Sequence, residues 1–346
     1  MDILSVHNPH VRYHVIYDNF TYAKWSIIMY IKFWGTRGSL PTALTCDDVE
    51  RKIRRALEGA VGLDLSDSDV IDHYIERLPI ITKGTMGGET TCMELQSGEQ
   101  TIVIDMGSGI RKLGLDMLFN RSYGKGHKQI DILVTHTHWD HVQGFPFFIP
   151  AYIPHNILNF HSPIEDLESR INQQQEPRFF PVSTKYMNST FNFITIKPNS
   201  WHQIGNIRVY PFRLSHPGFT YGYRIEDGNS VFVCATDSEY KRVDPESTKR
   251  YVELFNEADM LIFDAQYTWS EALDKIDWGH SSAIMGSEMA YRAKAKRLVL
   301  FHHDPTSTDE KIWAAKALAE AYLENRISDD FECEVFIGYD GFGINF

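Results

Sequence analysis

Cysteine is scarce in this chain. Cys46, Cys92, Cys234 and Cys333 are scattered over 346 residues and form no Cys-x-x-Cys pair. That spacing excludes a disulfide framework and a thiolate zinc ribbon; it fits small core residues in a reducing compartment. No stretch reaches the ~18 consecutive apolar residues of a membrane helix. Trp25 to Phe33 is apolar but is interrupted by Lys32, and it lacks the small-residue cleavage site of a signal peptide. A cytoplasmic protein with no membrane partner is therefore expected. Basic residues are outnumbered, 34 Lys and Arg against 46 Asp and Glu, for a formal charge of −12. This weighs against a broad nucleic-acid surface and leaves room only for local basic patches. Pro/Gly/Ser linkers, low-complexity tracts and internal repeats are also missing.

What is present is a hydrophobic fraction of 43%, enough for a sizeable core. One stretch concentrates chemistry: Thr135-His136-Thr137-His138-Trp139-Asp140-His141. It follows Ile130-Asp131-Ile132-Leu133-Val134, which has the length and β-branched content of a buried strand. Residues two apart on a strand point the same way, so His136 and His138 leave the strand end side by side. Asp140 and His141 follow as the chain turns. Neutral imidazole and carboxylate are ligands for zinc, manganese or iron. Two adjacent cations need more than these four groups, so other parts of the chain must contribute. His216, Asp237 and one of His302 or His303 are the candidates, because each follows a strand-like run.

The stretch His136-x-His138-x-Asp140-His141 resembles the His-x-His-x-Asp-His signature of the metallo-β-lactamase superfamily. Three further elements resemble one subgroup of it: Phe33-Trp34-Gly35-Thr36-Arg37-Gly38-Ser39-x-Pro41, Gly87-Gly88-x-Thr90-x-Cys92 and Asp105-x-Gly107-x-Gly109. The resemblance implies an α/β (α+β) fold, a four-layer αβ/βα sandwich, of the ribonuclease Z and cyclic-nucleotide phosphodiesterase kind. It also implies a ligand set. His136, His138 and His216 would hold one cation and Asp140, His141 and His302 the second, with Asp237 bridging. Zinc is the first expectation, with manganese or iron as alternatives. His302 is preferred over His303 because it comes first after the strand Arg297 to Phe301, and His303 is then expected to face substrate or support a ligand.

The rest of the chain reads in order. Residues 1–28 show no period and read as an N-terminal extension before one hydrolase domain over 29–346. Helices are expected at 46–60 and 67–78, with Arg51, Lys52, Arg54 and Arg55 on a solvated face. Val142 to Phe148 reads mainly as core beside the metals. Residues 155–200 read as a helix plus a cap over the site. Ser282 is a plausible N-cap, and Ser307 with Glu310 has capping-box spacing.

Asp264 precedes Trp278-Gly279-His280-Ser281-Ser282. This resembles the acidic residue and Gly-His-Ser-Thr element of ribonuclease Z, with Asp in place of the usual Glu and Ser in place of Thr. A carboxylate can orient an imidazole and stabilise its charged form. The expected activity is two-metal hydrolysis of a small phosphodiester such as a cyclic nucleotide. Asp140, Asp264 and His280 are the expected catalytic residues, with His280 protonating the leaving oxygen. Transfer-RNA 3′ processing is the main alternative, and thioester or lactone hydrolysis a second. A signalling or binding module with a structural metal site belongs to a different class. A homodimer is compatible with the sequence.

Overall fold

The computed structural model describes residues 29–242, 244–328 and 331–346; the expected N-terminal extension lies outside them. Two seven-stranded sheets form the centre. The first contains β1 (Met29–Gly35), β2 (Cys92–Ser97), β3 (Gln100–Ile104), β4 (Gln129–Leu133), β5 (Ile157–Ser162) and β6 (Thr190–Thr195). The second contains β7 (His202–Ile204), β8 (Ile207–Arg213), β9 (Tyr221–Glu226), β10 (Val231–Ala235), β11 (Met260–Asp264), β12 (Arg297–Phe301) and β13 (Glu334–Ile337). The chain then returns to the edge of the first sheet as β14 (Gly343–Asn345), beside β1.

Both halves follow one plan. An antiparallel meander, β1-β2-β3 or β7-β8-β9-β10, leads into parallel strands, β3-β4-β5-β6 or β10-β11-β12-β13. Phe33, Leu95, Ile104 and Leu133 of the first sheet share a core with Val209, Tyr223, Phe232 and Ile262 of the second, so the sheets pack face to face. The outer face of the first is covered by the helix Ile110–Asn120, and that of the second by Ala283–Ala293 and Asp309–Glu324. The result is the expected four-layer sandwich.

Pairing register positions the site. Ala235 lies opposite Phe263, Leu300 opposite Phe263, and Phe301 opposite Asp264. The parallel strands thus end level, and the loops after β10, β11 and β12 emerge at one edge. β8 runs parallel to β10 across the antiparallel β9, so its end faces the same way.

Several expectations need correction. The stretch 155–200 is more than a helix and cap, because it contributes β5 and β6 to the first sheet. Asn159 and His161 break the apolar pattern of β5, yet both are buried. Their polar atoms meet the Asp131 carboxylate at 2.9 and 3.0 Å. The last long helix is capped by Thr308, which accepts from Lys311 N, and not by Ser307; Glu310 instead pairs with Arg55 at 2.6 Å. Ser282 does cap its helix, accepting from Met285 N. The basic face at 51–55 is paired: Arg51 with Asp48, Arg54 with Glu50, and Lys52 with Asp309 at 2.6 Å. No helix among the described residues is long and apolar enough to cross a membrane.

Candidate metal centre

The strand ends bring seven side chains together. His136, His138 and His216 form one group; Asp140, His141, Asp237 and His302 form another. Within each group the ligand atoms lie within 4.8 Å of one another. His302 Nε2 is 3.1 Å from Asp140 Oδ2 and 3.2 Å from Asp237 Oδ1, and His141 Nε2 is 3.4 and 3.3 Å from the same two oxygens. Asp237 Oδ1 is also 3.8 Å from His136 Nε2, so it faces both groups. His216 Nε2 and His138 Nδ1 are 3.0 Å apart. Ligand atoms ~2.0–2.2 Å from one tetrahedral centre stand roughly 3.3–3.6 Å from each other; the separations within each group quoted above, 3.0 to 3.4 Å, come close to that.

The second nitrogen of four rings is engaged elsewhere, which selects the atom left facing the cluster. His141 Nδ1 donates to Asp105 Oδ2 at 2.7 Å. His216 Nδ1 donates to the Gly279 carbonyl at 2.8 Å, and His302 Nδ1 to Gln266 Oε1 at 3.2 Å. His136 Nδ1 lies 3.0 Å from Thr135 Oγ1. Its Nε2 is buried and has no hydrogen-bond partner. An orphaned, buried imidazole nitrogen is costly unless something accepts its lone pair, so this donor set fits a metal.

Electrostatics agree with that fit. Burial, the largest single influence, opposes charge on both carboxylates, yet His141 and His302 together outweigh it at Asp140 and Asp237 and hold them well below the usual range. Burial also disfavours charge on the rings, but Asp237 and Asp140 hold His141 well above its ordinary value and push His302 up to about 9. His136 and His216, where burial dominates, are held down, His216 to about 4. The pocket therefore draws positive charge to its Asp140–Asp237 side, a demand that divalent cations answer.

Asp264 and His280 adjoin the cluster. His280 Nδ1 donates to Asp264 Oδ2 at 2.8 Å. Asp264 is fully buried and also accepts from the backbone N–H groups of Asp237, Gln266 and Ser281. The His280 ligand nitrogen lies within 4.8 Å of ligand atoms of His216 and Asp237.

His303 does not face the cluster. It is buried, its Nε2 donates to the Gly338 carbonyl at 2.9 Å, and burial beside Arg37 pushes it down to about 3. The expectation that it meets substrate is corrected: His302 has a left-handed backbone, φ 60°, which turns its own ring to the cluster and sends the next ring to Gly338. Phe145 and Phe148 are core as expected, but Phe147 is half exposed.

Four supporting residues escaped the sequence reading. Asp105 was seen only as part of a glycine-rich turn, yet it accepts from Thr135 N, Thr135 Oγ1 and His141. Gln266 orients His302, and Ser39 N donates to Asp140 Oδ2 at 2.7 Å. Gly38 leaves room for the His302 ring, since a Cβ there would stand 2.4 Å from His302 Cε1. The glycines near the ligands were the available signal.

The family model described as "Beta-lactamase superfamily domain" matches residues 100–303, more than half of the chain. The chain belongs to the metallo-β-lactamase superfamily and is a metal-dependent hydrolase. Ribonuclease BN of Proteus mirabilis is 23% identical over 252 residues, covering 58% of this chain and 80% of that protein. Ribonuclease Z of Thermoplasma acidophilum is 21% identical over 256 residues, covering 61% and 80%. Among solved structures, the metallo-beta-lactamase fold protein YhfI from Bacillus subtilis has a TM-score of 0.61 at 17% identity, covering 92% of this chain and 100% of its own. Human tRNase Z, short form, has a TM-score of 0.56 at 17% identity, covering 91% and 98%. A diphosphatase of the PhnP family has a TM-score of 0.55 at 17% identity, covering 92% and 98%.

Proposed function

We propose that the protein is a two-metal phosphodiester hydrolase acting on a small substrate such as a cyclic nucleotide. The observation that carries this reading is the Asp264–His280 pair set against the ligand cluster, with 2.8 Å between Asp264 Oδ2 and His280 Nδ1. His136, His138 and His216 would hold one cation, Asp140, His141 and His302 the other, with Asp237 shared. Zinc suits this set first, manganese or iron next. Two bound divalent cations would neutralise phosphoryl charge and lower the pKa of a water to near neutrality.

The chain's own groups do the rest. With Nδ1 engaged by Asp264, His280 holds its mobile proton at Nε2, the atom available to a departing alkoxide. Asp264 fixes the ring's orientation, with Nδ1–H toward its carboxylate and Nε2 toward the cluster. Such general acid help is worth ~10²–10⁴-fold. Asp140 accepts from Ser39 N at 2.7 Å, which fixes its orientation.

Precursor transfer-RNA cleavage is a second reading, favoured by the similarity to two ribonucleases and by the structural likeness to human tRNase Z. The formal charge of −12 argues for the smaller substrate. The test is one purified, metal-loaded sample assayed on a chromogenic phosphodiester and a cyclic-nucleotide panel, a thioester, and a precursor transfer RNA. Turnover of phosphodiesters above the other two supports the proposal. Turnover of the thioester alone overturns it, because that chemistry has no use for Asp264–His280. We also place the protein in the cytoplasm, on the strength of four unpaired cysteines.

A further inference from the structure

Beside the ligand cluster opens a cavity of about 570 Å³, lined by none of the candidate ligands. Thr137 and Trp139, which alternate in the chain with His136, His138 and Asp140, form part of its wall; Phe147, Phe179 and Phe180 form another part. Trp139 is 78% exposed, Phe179 75% and Phe147 51%. Large aromatic faces rarely stand open together on a monomer without a partner. Nor are these rings left over from the core, since Phe145 and Phe148 in the same run are fully buried. Phe147 is fixed edge-on against Phe180, with centroids 5.5 Å apart at 86°.

The polar lining narrows the occupant. Arg170 is the only charged residue in the wall, and its guanidinium already donates to Thr137 Oγ1 at 3.1 Å and Asp166 Oδ1 at 2.9 Å. The cavity is therefore poor in cations for a run of phosphates, which a docked RNA strand would bring. Gln174 donates from Nε2 to the Val142 carbonyl at 2.8 Å, while its buried Oε1 has no hydrogen-bond partner. An open aromatic wall so poor in charge suits a flat, neutral heterocycle.

We propose that this cavity is a base subsite, which takes the ring of a nucleoside phosphodiester against Trp139 and Phe179 while the phosphorus lies at the ligand cluster. Trp139 is joined directly to His138 and Asp140, so base wall and cluster are one residue apart along the chain. His138 is exposed, so the cluster opens to solvent beside Trp139. The proposal rests on the phosphodiester reading above and names the substrate as a nucleotide ester.

The test uses two chromogenic esters with the same leaving group, thymidine 5′-(p-nitrophenyl phosphate) and methyl p-nitrophenyl phosphate, with the metal-loaded full chain. Wild type is expected to favour the thymidine ester in kcat/KM. Phe179→Ala should lower that preference about tenfold, mostly through KM of the thymidine ester, because stacking on one ring is lost. Phe179→Leu should do the same, and Phe179→Tyr should restore the preference. A preference within twofold of wild type in both the Ala and Leu variants overturns the subsite. Titration calorimetry with thymidine 5′-monophosphate reads the same site without turnover. Weaker nucleotide binding in Phe179→Ala, with neither ester hydrolysed by wild type, supports the subsite and overturns the phosphodiester reading. Hydrolysis of both esters with equal nucleotide affinity in wild type and variant overturns the subsite alone.

Discussion

Replacing Asp105 by Asn tests whether a residue outside the ligand set decides metal affinity. Asp105 sits at φ 61°, a left-handed conformation that Asn tolerates about as well as Asp, so the backbone is not at issue. The carboxylate accepts from Thr135 N at 2.8 Å, Thr135 Oγ1 at 2.7 Å and His141 Nδ1 at 2.7 Å. Asn keeps one acceptor for the Thr135 N–H, but its amide then presents a donor to His141 Nδ1. That nitrogen must become the acceptor, which moves the ring proton to Nε2. Nε2 is the atom 3.3 Å from Asp237 and 3.4 Å from Asp140, and a proton there blocks it as a ligand. Loss of such an orienting carboxylate costs ~10–100-fold in metal affinity, about 1.4–2.7 kcal/mol. Competition against a chromophoric chelator measures the affinity, and circular dichroism checks that the fold is kept. A folded Asp105→Asn protein with affinity within twofold of wild type would refute the tautomer argument.

Four other outcomes are expected. His302→Ala should lower bound metal to about half by elemental analysis, whereas His303→Ala, whose ring donates to the Gly338 carbonyl away from the cluster, should keep its metal and lose stability instead. Gly38→Ala, with its Cβ 2.4 Å from the His302 ring, should cut metal content by displacing that ring while leaving the circular dichroism spectrum unchanged. Chelation should lower the thermal midpoint, and added zinc should raise it with concentration, because a ligand bound only by the folded state stabilises it; a midpoint indifferent to both would count against the site. His280→Ala should cut cyclic-nucleotide turnover by ~10²-fold or more and a nitrophenyl phosphodiester far less, since nitrophenolate needs no proton; equal losses would return Asp264–His280 to a structural tie.

Much of the site was legible because its ligands follow apolar strands. His136, His138, Asp237 and His302 each come within a few residues of a run such as Ile130 to Val134 or Arg297 to Phe301, and a one-dimensional pattern can register that. The layering was not legible from periodicity and came from the resemblance. β5 was missed because its interior carries Asn159 and His161, whose polar atoms are satisfied by Asp131 from the neighbouring strand. β6 was missed because it is a mostly exposed edge with Phe191 and Phe193 alternating between polar residues. β7 and β14 are three residues long, too short to show a period. Asp105 and Gln266 were invisible as supports because their partners lie 36 residues away in each case, at His141 and His302.

A further feature shows how the sheets aim the ligands. Asp105, Asp237 and His302 have φ values of 61°, 58° and 60°, and each comes directly or within two residues after a strand, β3, β10 and β12. A left-handed residue at that point reverses the extended path, so the side chain turns over the strand edge and does not continue the alternation. The conformation costs a non-glycine residue on the order of 1–3 kcal/mol and persists only where the surroundings fix it. Here the fixing groups are identifiable: Thr135 and His141 hold Asp105, Thr236 and its neighbours hold Asp237, and Gln266 holds His302. The same inference separates His302 from His303. The turn at residue 302 points its ring to the cluster and sends the next ring to Gly338. Position after the strand favours one of two adjacent histidines, and the backbone conformation at residue 302 is the physical reason.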